Sequence, residues 1–189
     1  ARTATPGDVL RYTLRFQTTD QPLSNFRIFD DVDGLNSLPA FVAGTMTLVA
    51  YPPGADISNT SSTGGTHGTG VLDIRNLNLA ANSQLLIQFD ITLRPVAPNG
   101  KIVTDQASAR LANGTVIALS DDPTVNGTAN PLVAGDGDRR EVRIVSAPAF
   151  RVQKISTDLT LDPNGLLAGE PLRYQITVKN IGNADAANV

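Results

Sequence analysis

The sequence predicts an all-β chain that folds as an antiparallel β-sandwich, followed by the start of a second such module. Short stretches of alternating polar and apolar residues recur between turn-forming segments, and this pattern is typical of the half-buried strands of a sandwich. Sixteen Gly and twelve Pro supply the turns. Since no apolar stripe with helical spacing continues beyond one turn, we predict no helix.

One strand unit occurs twice in the chain. Residues 6–16 read PGDVLRYTLRF, and residues 168–178 read AGEPLRYQITV. Tyr12 corresponds to Tyr174, and the turn glycine, the acidic residue and the alternating strand keep the same offset of 162 positions (174 − 12 = 162). We interpret this match as an internal repeat, of the kind found in long arrays of modules.

The repeat divides the chain into two parts. We assign residues 1–139 to a first β-sandwich repeat that ends in an acidic connector. Residues 140–189 are assigned to a connecting strand and the opening strands of a second, incomplete repeat. For a chain of 189 residues, one domain of ordinary size plus part of another is the expected count.

The first strands show the alternation most simply. In residues 9–16 the even positions are apolar and the odd positions mostly polar, which indicates a strand with one buried face. Residues 26–30 are predicted to form a second short strand. Residues 30–34, Asp-Asp-Val-Asp-Gly, end that strand in an acidic turn.

The middle of the chain combines strands with a long loop. Strands are predicted over residues 45–51, 71–77 and 85–93, the last with five apolar residues at alternate positions. Residues 55–70 are rich in Gly, Ser, Thr and Asn, so we predict a long loop there that contributes no side chain to the core.

The last third of the chain contains a hairpin and a connector. Residues 102–111 and 116–119 are predicted to pair, since the Asn-Gly sequence between them favours a tight turn. Residues 120–139 form an acidic connector rich in Gly and Pro. Two more strands are predicted over residues 141–145 and 150–155, ahead of the second copy of the repeated strand.

The apolar faces of these strands predict the interior of the first sandwich. Alternate residues of a half-buried strand point to the same side of the sheet. The side chains expected inside are Tyr12, Phe16, Phe29, Leu85, Ile87, Phe89, Ile91, Ile102 and Leu111.

Composition excludes several functional classes. The net charge is only −3, so the chain lacks the basic excess that nucleic-acid binding requires. Cysteine is absent, which excludes disulfides and thiolate metal sites. The longest apolar runs are far shorter than the ~20 residues of a membrane-spanning helix, so we predict no transmembrane segment.

The second copy of the repeated strand carries a longer motif. Residues 169–189 read GEPLRYQITVKNIGNADAANV. This stretch resembles the opening of the DUF11 repeat of bacterial surface proteins, in which Leu-x-Tyr-x-Ile-x-Val is followed by Asn-x-Gly-Asn-Ala-Asp-Ala-x-Asn-Val. The first copy keeps Pro-Gly-Asp and Leu-Arg-Tyr at residues 6–12, but residues 18–22 (Thr-Thr-Asp-Gln-Pro) depart from the pattern.

The resemblance implies a fold, a location and a role. The expected fold is an immunoglobulin-like antiparallel β-sandwich, within a large protein that is secreted or displayed on the bacterial cell surface. The implied role is structural or adhesive, and no enzymatic activity is expected. Neighbouring repeats, or copies of the chain itself, are the expected partners.

Two acidic clusters are candidate calcium sites. Calcium takes six to eight oxygen ligands, and carboxylates on turns can supply several of them. In a cysteine-free extracellular module, Ca²⁺ would stabilise the folded state. The alternative is that acidic turns simply keep the surface soluble. The candidate ligands are Asp121, Asp122, Asp136 and Asp138 in the connector, and Asp30, Asp31 and Asp33 in the acidic turn.

Lys154 and His67 are the other residues whose chemistry could matter. Surface repeats of Gram-positive pili often join a strand lysine to an Asn or Asp through an isopeptide bond, which makes Lys154 a candidate for such a bond. The alternative is a strand lysine that faces solvent. His67, the only histidine, lies in a Gly-rich stretch that offers no orienting partner, so we predict no catalytic site.

Two functional classes and two assembly states remain open. A carbohydrate-binding β-sandwich is the alternative to a structural module, although sugar platforms use exposed aromatic rings and the chain has no Trp. The first module lacks a counterpart of residues 150–155, because that counterpart would fall before Ala1. Either a longer protein supplies it, or residues 141–189 of one subunit complete the first module of its neighbour, head to tail.

Overall fold

The structure is a computed structural model, and it describes residues 2–128, 136–160 and 165–187. These residues form strands, turns and loops and contain no helix. Within them, the strands are β1 (Arg2–Ala4), β2 (Val9–Gln17), β3 (Leu23–Asp31), β4 (Thr47–Ala50), β5 (Val71–Leu79), β6 (Gln84–Thr92), β7 (Ile102–Asp105), β8 (Ser108–Leu111), β9 (Val116–Leu119), β10 (Arg140–Ile144), β11 (Phe150–Asp158) and β12 (Leu172–Asn180).

Strands β1 to β10 build a β-sandwich, as the sequence predicts. One sheet has the order β2-β6-β4, and the facing sheet has the order β5-β3-β8-β9. All pairs within these two sheets are antiparallel. The predicted hairpin is confirmed for β8 and β9, which pair across a turn in which Gly114 adopts a φ of +90°, but residues 102–105 form a separate strand that pairs with β10 instead.

A third sheet has the order β1-β10-β7, and only two residues separate β7 from β8. β7 pairs antiparallel with β10, and β10 pairs in parallel with β1. The sequence assigned residues 140–144 to the second part of the chain. In the structure they form the central strand of this third sheet, between β1 and β7, and Val142 and Ile144 belong to the same core as the first sandwich.

The core forms between the two sheets from alternate residues of each strand. In β6, Leu85, Ile87, Phe89 and Ile91 are all buried, which confirms the alternation read from the sequence. Rings from opposite sheets meet in the interior, for example Phe16 and Phe26, whose ring centres lie 5.0 Å apart. The largest fully buried side chains are Phe26, Phe41, Phe89, Leu72, Ile74, Leu77, Ile87, Ile91, Leu93, Ile144, Val32 and Val103.

Three of the residues expected in the core lie elsewhere. Phe29 is on the outer face of β3, where the guanidinium groups of Arg27 and Arg110 lie 5.3 and 4.2 Å from its ring centre. Ile102 and Leu111 are only half-buried. The prediction was wrong for Phe29 because Asp30, rather than Phe29, occupies the inward position.

The loop over residues 55–70 contributes to the core, contrary to the prediction. Ala55 and Ile57 pack against the core, and Thr69 is buried. Backbone hydrogen bonds join the loop to β5, with the N–H and C=O groups of Ser61 and Val71 bonded at 2.9 and 2.8 Å. A polar composition did not prevent packing here, because the backbone groups of the loop find partners within the protein.

Strands β11 and β12 form a separate two-stranded antiparallel hairpin. The segment after β12 meets the segment before β11, because the N–H of Asn183 donates to the carbonyl of Ala147 at 3.2 Å. Most side chains of the hairpin are exposed on both faces.

Candidate functional site

Asp33 holds the acidic turn together from a fully buried position. Its carboxylate accepts hydrogen bonds from the backbone N–H of Ala40 (2.8 Å), the side-chain amide of Asn36 (2.8 Å) and the hydroxyl of Thr69 (3.1 Å). These donors replace the water that the carboxylate loses on burial. Asp33 therefore fixes the segments on either side of it, and its oxygens are taken up by protein donors.

Asp31 also anchors the long loop of residues 55–70, through Thr66. Its carboxylate accepts the backbone N–H of Thr66 at 3.0 Å and also the Thr66 hydroxyl. Gly65 has a φ of +84°, and a Cβ added there would collide with the Asp31 carboxylate. The predicted metal ligands Asp31 and Asp33 thus have separate structural roles in anchoring residues 64–70.

Asp30 turns inward and meets Asp105 in the interior of the sandwich. Both side chains are fully buried, and we call them the buried acid pair. Burial raises the pKa of Asp30 to about 6. Burial first, and then the charge of Asp30, raise the pKa of Asp105 well above its ordinary value. Burial and the charge of the neighbouring carboxylate both disfavour the state in which the two groups are ionised together.

The buried acid pair lacks donors. Neither oxygen of Asp30 has a hydrogen-bond partner, and Oδ1 of Asp105 has none either. The hydroxyl of Tyr12 is also buried without a partner. Burial, followed by the charges of Asp105 and Asp30, raises the pKa of this phenol well above its usual value. The interior below Tyr12 is therefore rich in acceptors, and a cation would be favoured there.

The acidic connector is held by contacts of its own. Asp122 pairs with Arg140 at 2.5 Å and accepts the hydroxyl of Thr124 at 2.7 Å. Burial acts to raise the pKa of Asp122, but the hydrogen bonds from Thr124 and Arg140 outweigh it and lower the pKa. The N–H of Asp138 donates to the carboxylate of Asp121 at 3.0 Å. These contacts join the two ends of the connector.

The structure does not gather the predicted calcium ligands into one site. Across residues 2–128, 136–160 and 165–187, no group of three or more His, Asp or Glu side chains could hold a metal ion. Asp136 takes part in interactions within the protein, as Asp121 does. Part of the connector, residues 129–135, lies outside the described residues. Calcium binding stays a prediction.

His67 and Lys154 have simple surroundings. Nε2 of His67 lies 2.8 Å from the backbone carbonyl of Asn36 and donates to it, so this ring helps to hold the long loop. Lys154 is exposed in β11, and its ammonium lies 4.2 Å from the ring centre of Tyr174. The isopeptide bond stays a prediction for Lys154.

One edge of β2 carries no neighbouring strand among the described residues. The even-numbered residues of β2 direct their backbone N–H and C=O groups toward β6. This follows because the N–H of Leu93 donates to the carbonyl of Asp8 (2.8 Å) and the N–H of Thr18 donates to the carbonyl of Ser83 (3.0 Å). In an antiparallel ladder, the intervening residues direct their backbone groups to the opposite side. We call this side the open edge of β2, and it is formed by Val9, Arg11, Thr13 and Arg15.

The second copy of the strand shows the opposite arrangement. In β12 the odd-numbered residues direct their backbone N–H and C=O groups toward β11. This follows because the N–H of Ile181 donates to the carbonyl of Ala149 (2.6 Å) and the N–H of Leu159 donates to the carbonyl of Pro171 (3.3 Å). The offset of 162 is even, so odd positions of β12 match odd positions of β2. The edge of β12 that β11 occupies is therefore the edge that β2 leaves open.

The hairpin presents an apolar face that matches the buried face of β2. Tyr174, Ile176 and Val178 are between 56% and 62% exposed. Their counterparts in the first copy are Tyr12, Leu14 and Phe16, which lie in or against the core. The same alternating pattern is thus packed in one copy and exposed in the other.

The sequence contained a signal for the buried acid pair. In β3 the alternation runs Phe26, Ile28, Asp30, and in β7 it runs Val103, Asp105. Period two alone places both acids inside, but an aspartate is rarely fully buried, so the acidic pattern at residues 30–34 favours a surface turn.

Comparisons with known protein families, with curated proteins and with solved structures find no match to the chain. The resemblance to DUF11 repeats therefore depends on the motif in residues 169–189 and its partial copy near the N-terminus. Among the described segments there is no helix with the length and apolar character needed to cross a membrane.

Proposed function

We propose that the chain is a structural or adhesive repeat module of a large bacterial extracellular or cell-surface protein, and that it joins to copies of itself by exchange of strands. The observation that carries the proposal is the relation between the two copies of one strand. β12 holds a neighbour at the edge that β2 leaves open, and each copy occurs in the same chain.

Two features of the chain support this role. Residues 169–189 resemble the opening of a repeat known from bacterial surface proteins. The polar groups that could have formed a reactive site instead hold loops, as Asp31 and Asp33 do. A fold alone does not define a function, so the proposal depends on the repeated edge rather than on the sandwich.

The positions of donor and acceptor define the mode of assembly. The acceptor edge lies on β2, near the start of the chain, and the donor strand β11 lies near its end. A contact between two different surfaces is head to tail, and it forms an open filament unless the subunits close into a ring. Main-chain hydrogen bonds to an exposed edge supply affinity in such a contact.

The test compares the intact chain with a chain that ends at Ser146. This end point keeps β10 in the sandwich, and it also keeps the hydroxyl of Ser146, which donates to the carbonyl of Ala97 at 2.7 Å. In sedimentation velocity, we expect the intact chain to form larger species as its concentration rises, whereas the shortened chain stays monomeric. An intact chain that remains monomeric at every concentration would contradict self-assembly.

A further inference from the structure

The core into which Tyr12 of β2 points contains acceptors without partners. Both oxygens of Asp30, one oxygen of Asp105 and the hydroxyl of Tyr12 are buried without partners. Asp30 is 1% exposed and Asp105 is 4% exposed. Leaving such groups unpaired is unfavourable, and an incoming cation with several donors would satisfy more than one of them.

The hairpin shows where a side chain from an added strand would lie. In the hairpin, Lys154 is opposite Ile176, and its ammonium is 4.2 Å from the ring centre of Tyr174. In the first copy of the repeat, Leu14 corresponds to Ile176 (176 − 162 = 14) and Tyr12 corresponds to Tyr174. A strand that pairs with β2 as β11 pairs with β12 would therefore bring Lys154 opposite Leu14 and beside the Tyr12 ring.

The face of β11 that would turn inward suits this position. Phe150, Val152 and Lys154 lie on one face of the strand, since they alternate in sequence. The first two are apolar and exposed in the hairpin. The third is a cation, and in the new position it would approach the buried acid pair, which carries the opposite charge when ionised.

We propose that the open edge of β2 is the receptor for β11 of a second copy of the chain, and that it selects this strand through an ion pair between Lys154 and the buried acid pair of Asp30 and Asp105. This inference depends on the strand exchange proposed above and adds the register and the residue that decides the choice. The added strand runs antiparallel to β2, with Lys154 opposite Leu14.

The selection depends on whether the added strand gives the buried carboxyl groups hydrogen-bond donors or leaves them without partners. A strand with lysine at this position supplies three donors and a positive charge to carboxylate oxygens that have no hydrogen-bond partner. A strand with an apolar residue there leaves the carboxyl groups unpaired. Leaving buried polar groups unsatisfied disfavours the wrong partner, which is how many interfaces obtain specificity.

The site is tested with a fluorescent peptide that has the sequence of residues 150–158, added to the intact chain. Binding is followed by anisotropy. A second peptide carries Lys154→Met, which retains the length and most of the apolar stem of the side chain and removes its charge. We expect the second peptide to bind at least about tenfold more weakly, which corresponds to about 1.4 kcal/mol.

Two variants of the chain locate the contact. Thr13→Pro removes an N–H group from the open edge and leaves the even-numbered bonds to β6 in place, as prolines on edge strands do. We expect it to abolish peptide binding, whereas the control Thr13→Val, which retains the N–H, binds normally. In a chain with Asp30→Asn and Asp105→Asn, the two peptides should bind equally.

Each result decides between the alternatives. Equal binding of both peptides to the unaltered chain would overturn the selection by Lys154, and binding that survives Thr13→Pro would overturn the edge as the receptor. A chain that assembles in sedimentation but binds neither peptide would overturn this inference and leave the proposed function standing. A chain that binds the lysine peptide yet stays monomeric would contradict the assembly and support the receptor site.

Discussion

Asp30 of β3 and Asp105 of β7 come from strands of two different sheets, and both place their carboxyl groups in the core of the sandwich. An unsatisfied acid pair destabilises a folded protein unless it retains a proton or gains a partner. We therefore expect the pair to make the free energy of unfolding depend on pH and on an added cation.

The pH dependence of unfolding follows from the raised pKa values. The pKa of Asp30 rises from an ordinary 3.8 to about 6, and that of Asp105 rises as well. The folded state then binds more protons than the unfolded state from about pH 4 upward, so the free energy of unfolding falls as pH rises through 6. Urea denaturation over this range should show the decrease.

A neutral substitute should remove that dependence. With Asp30→Asn, we expect a flatter pH profile and a chain that is more stable at neutral pH, by an amount on the order of one kcal/mol or more. Groups near the pair, namely Asp31, Asp33, Tyr12 and Arg140, are unchanged in this variant. The exposed control Asp20→Asn should keep the profile of the unaltered chain. An unchanged profile in Asp30→Asn would mean that another group titrates.

Asp33→Ala should be strongly destabilising. The substitution leaves the N–H of Ala40, the amide of Asn36 and the hydroxyl of Thr69 without their acceptor in a buried setting. We expect a loss of about 3 kcal/mol or more in the free energy of unfolding, measured by chemical denaturation. The exposed Asp20→Ala serves as the control. A loss similar to that of the control would contradict the anchoring role of Asp33.

Gly65→Ala should be more damaging than Gly114→Ala. Both residues have a positive φ, +84° and +90°, so each pays a similar backbone strain of about 1–2 kcal/mol on gaining a Cβ. At Gly65 the new Cβ would also meet the Asp31 carboxylate and the carbonyl oxygen of Gly70, whereas at Gly114 nothing lies within 4 Å. Thermal unfolding of the two variants measures the difference, and equal midpoints would contradict the packing of the long loop.

Calcium binding through the acidic connector is tested by melting the chain in chelator and in excess Ca²⁺. If a site exists and the ion is present at ~100 times its Kd, the stability should rise by roughly 2.7 kcal/mol. A chain with Asp122→Asn provides the comparison, although this change also breaks the pair with Arg140. An identical unfolding midpoint in chelator and in Ca²⁺ would contradict calcium binding.

Much of the sandwich could be predicted from period two alone. The clearest case is β6, where every apolar residue expected inside is buried. The error at Phe29 has a physical cause. Because aspartate is rarely buried, the pattern of β3 indicates that Phe29 points into the core and Asp30 points outward, whereas the structure has the reverse. β1 was not predicted, since three residues are too few to show an alternation.

The site was harder to predict than the strands. Asp30 and Asp105 are 75 positions apart (105 − 30 = 75) and lie in strands of two different sheets, so only the packing of the folded chain brings them into one core. The open edge of β2 also depends on which residues hydrogen bond to β6, and sequence patterns do not show this. The internal repeat is visible in the sequence, but the sequence does not show that one copy holds a neighbouring strand at the edge the other copy leaves open.

The pairing of β1 with β10 determines how the first sandwich would resist a pulling force. The two strands are parallel, with Arg2 opposite Val142 and Ala4 opposite Ile144. Tension applied from the start of β1 to the end of β10 therefore slides the strands past each other and loads their hydrogen bonds together. In the antiparallel β11–β12 hairpin, tension across the ends near Phe150 and Asn180 opens one pair at a time. Under load, the hairpin should yield first, and the sandwich should behave as the mechanically resistant element.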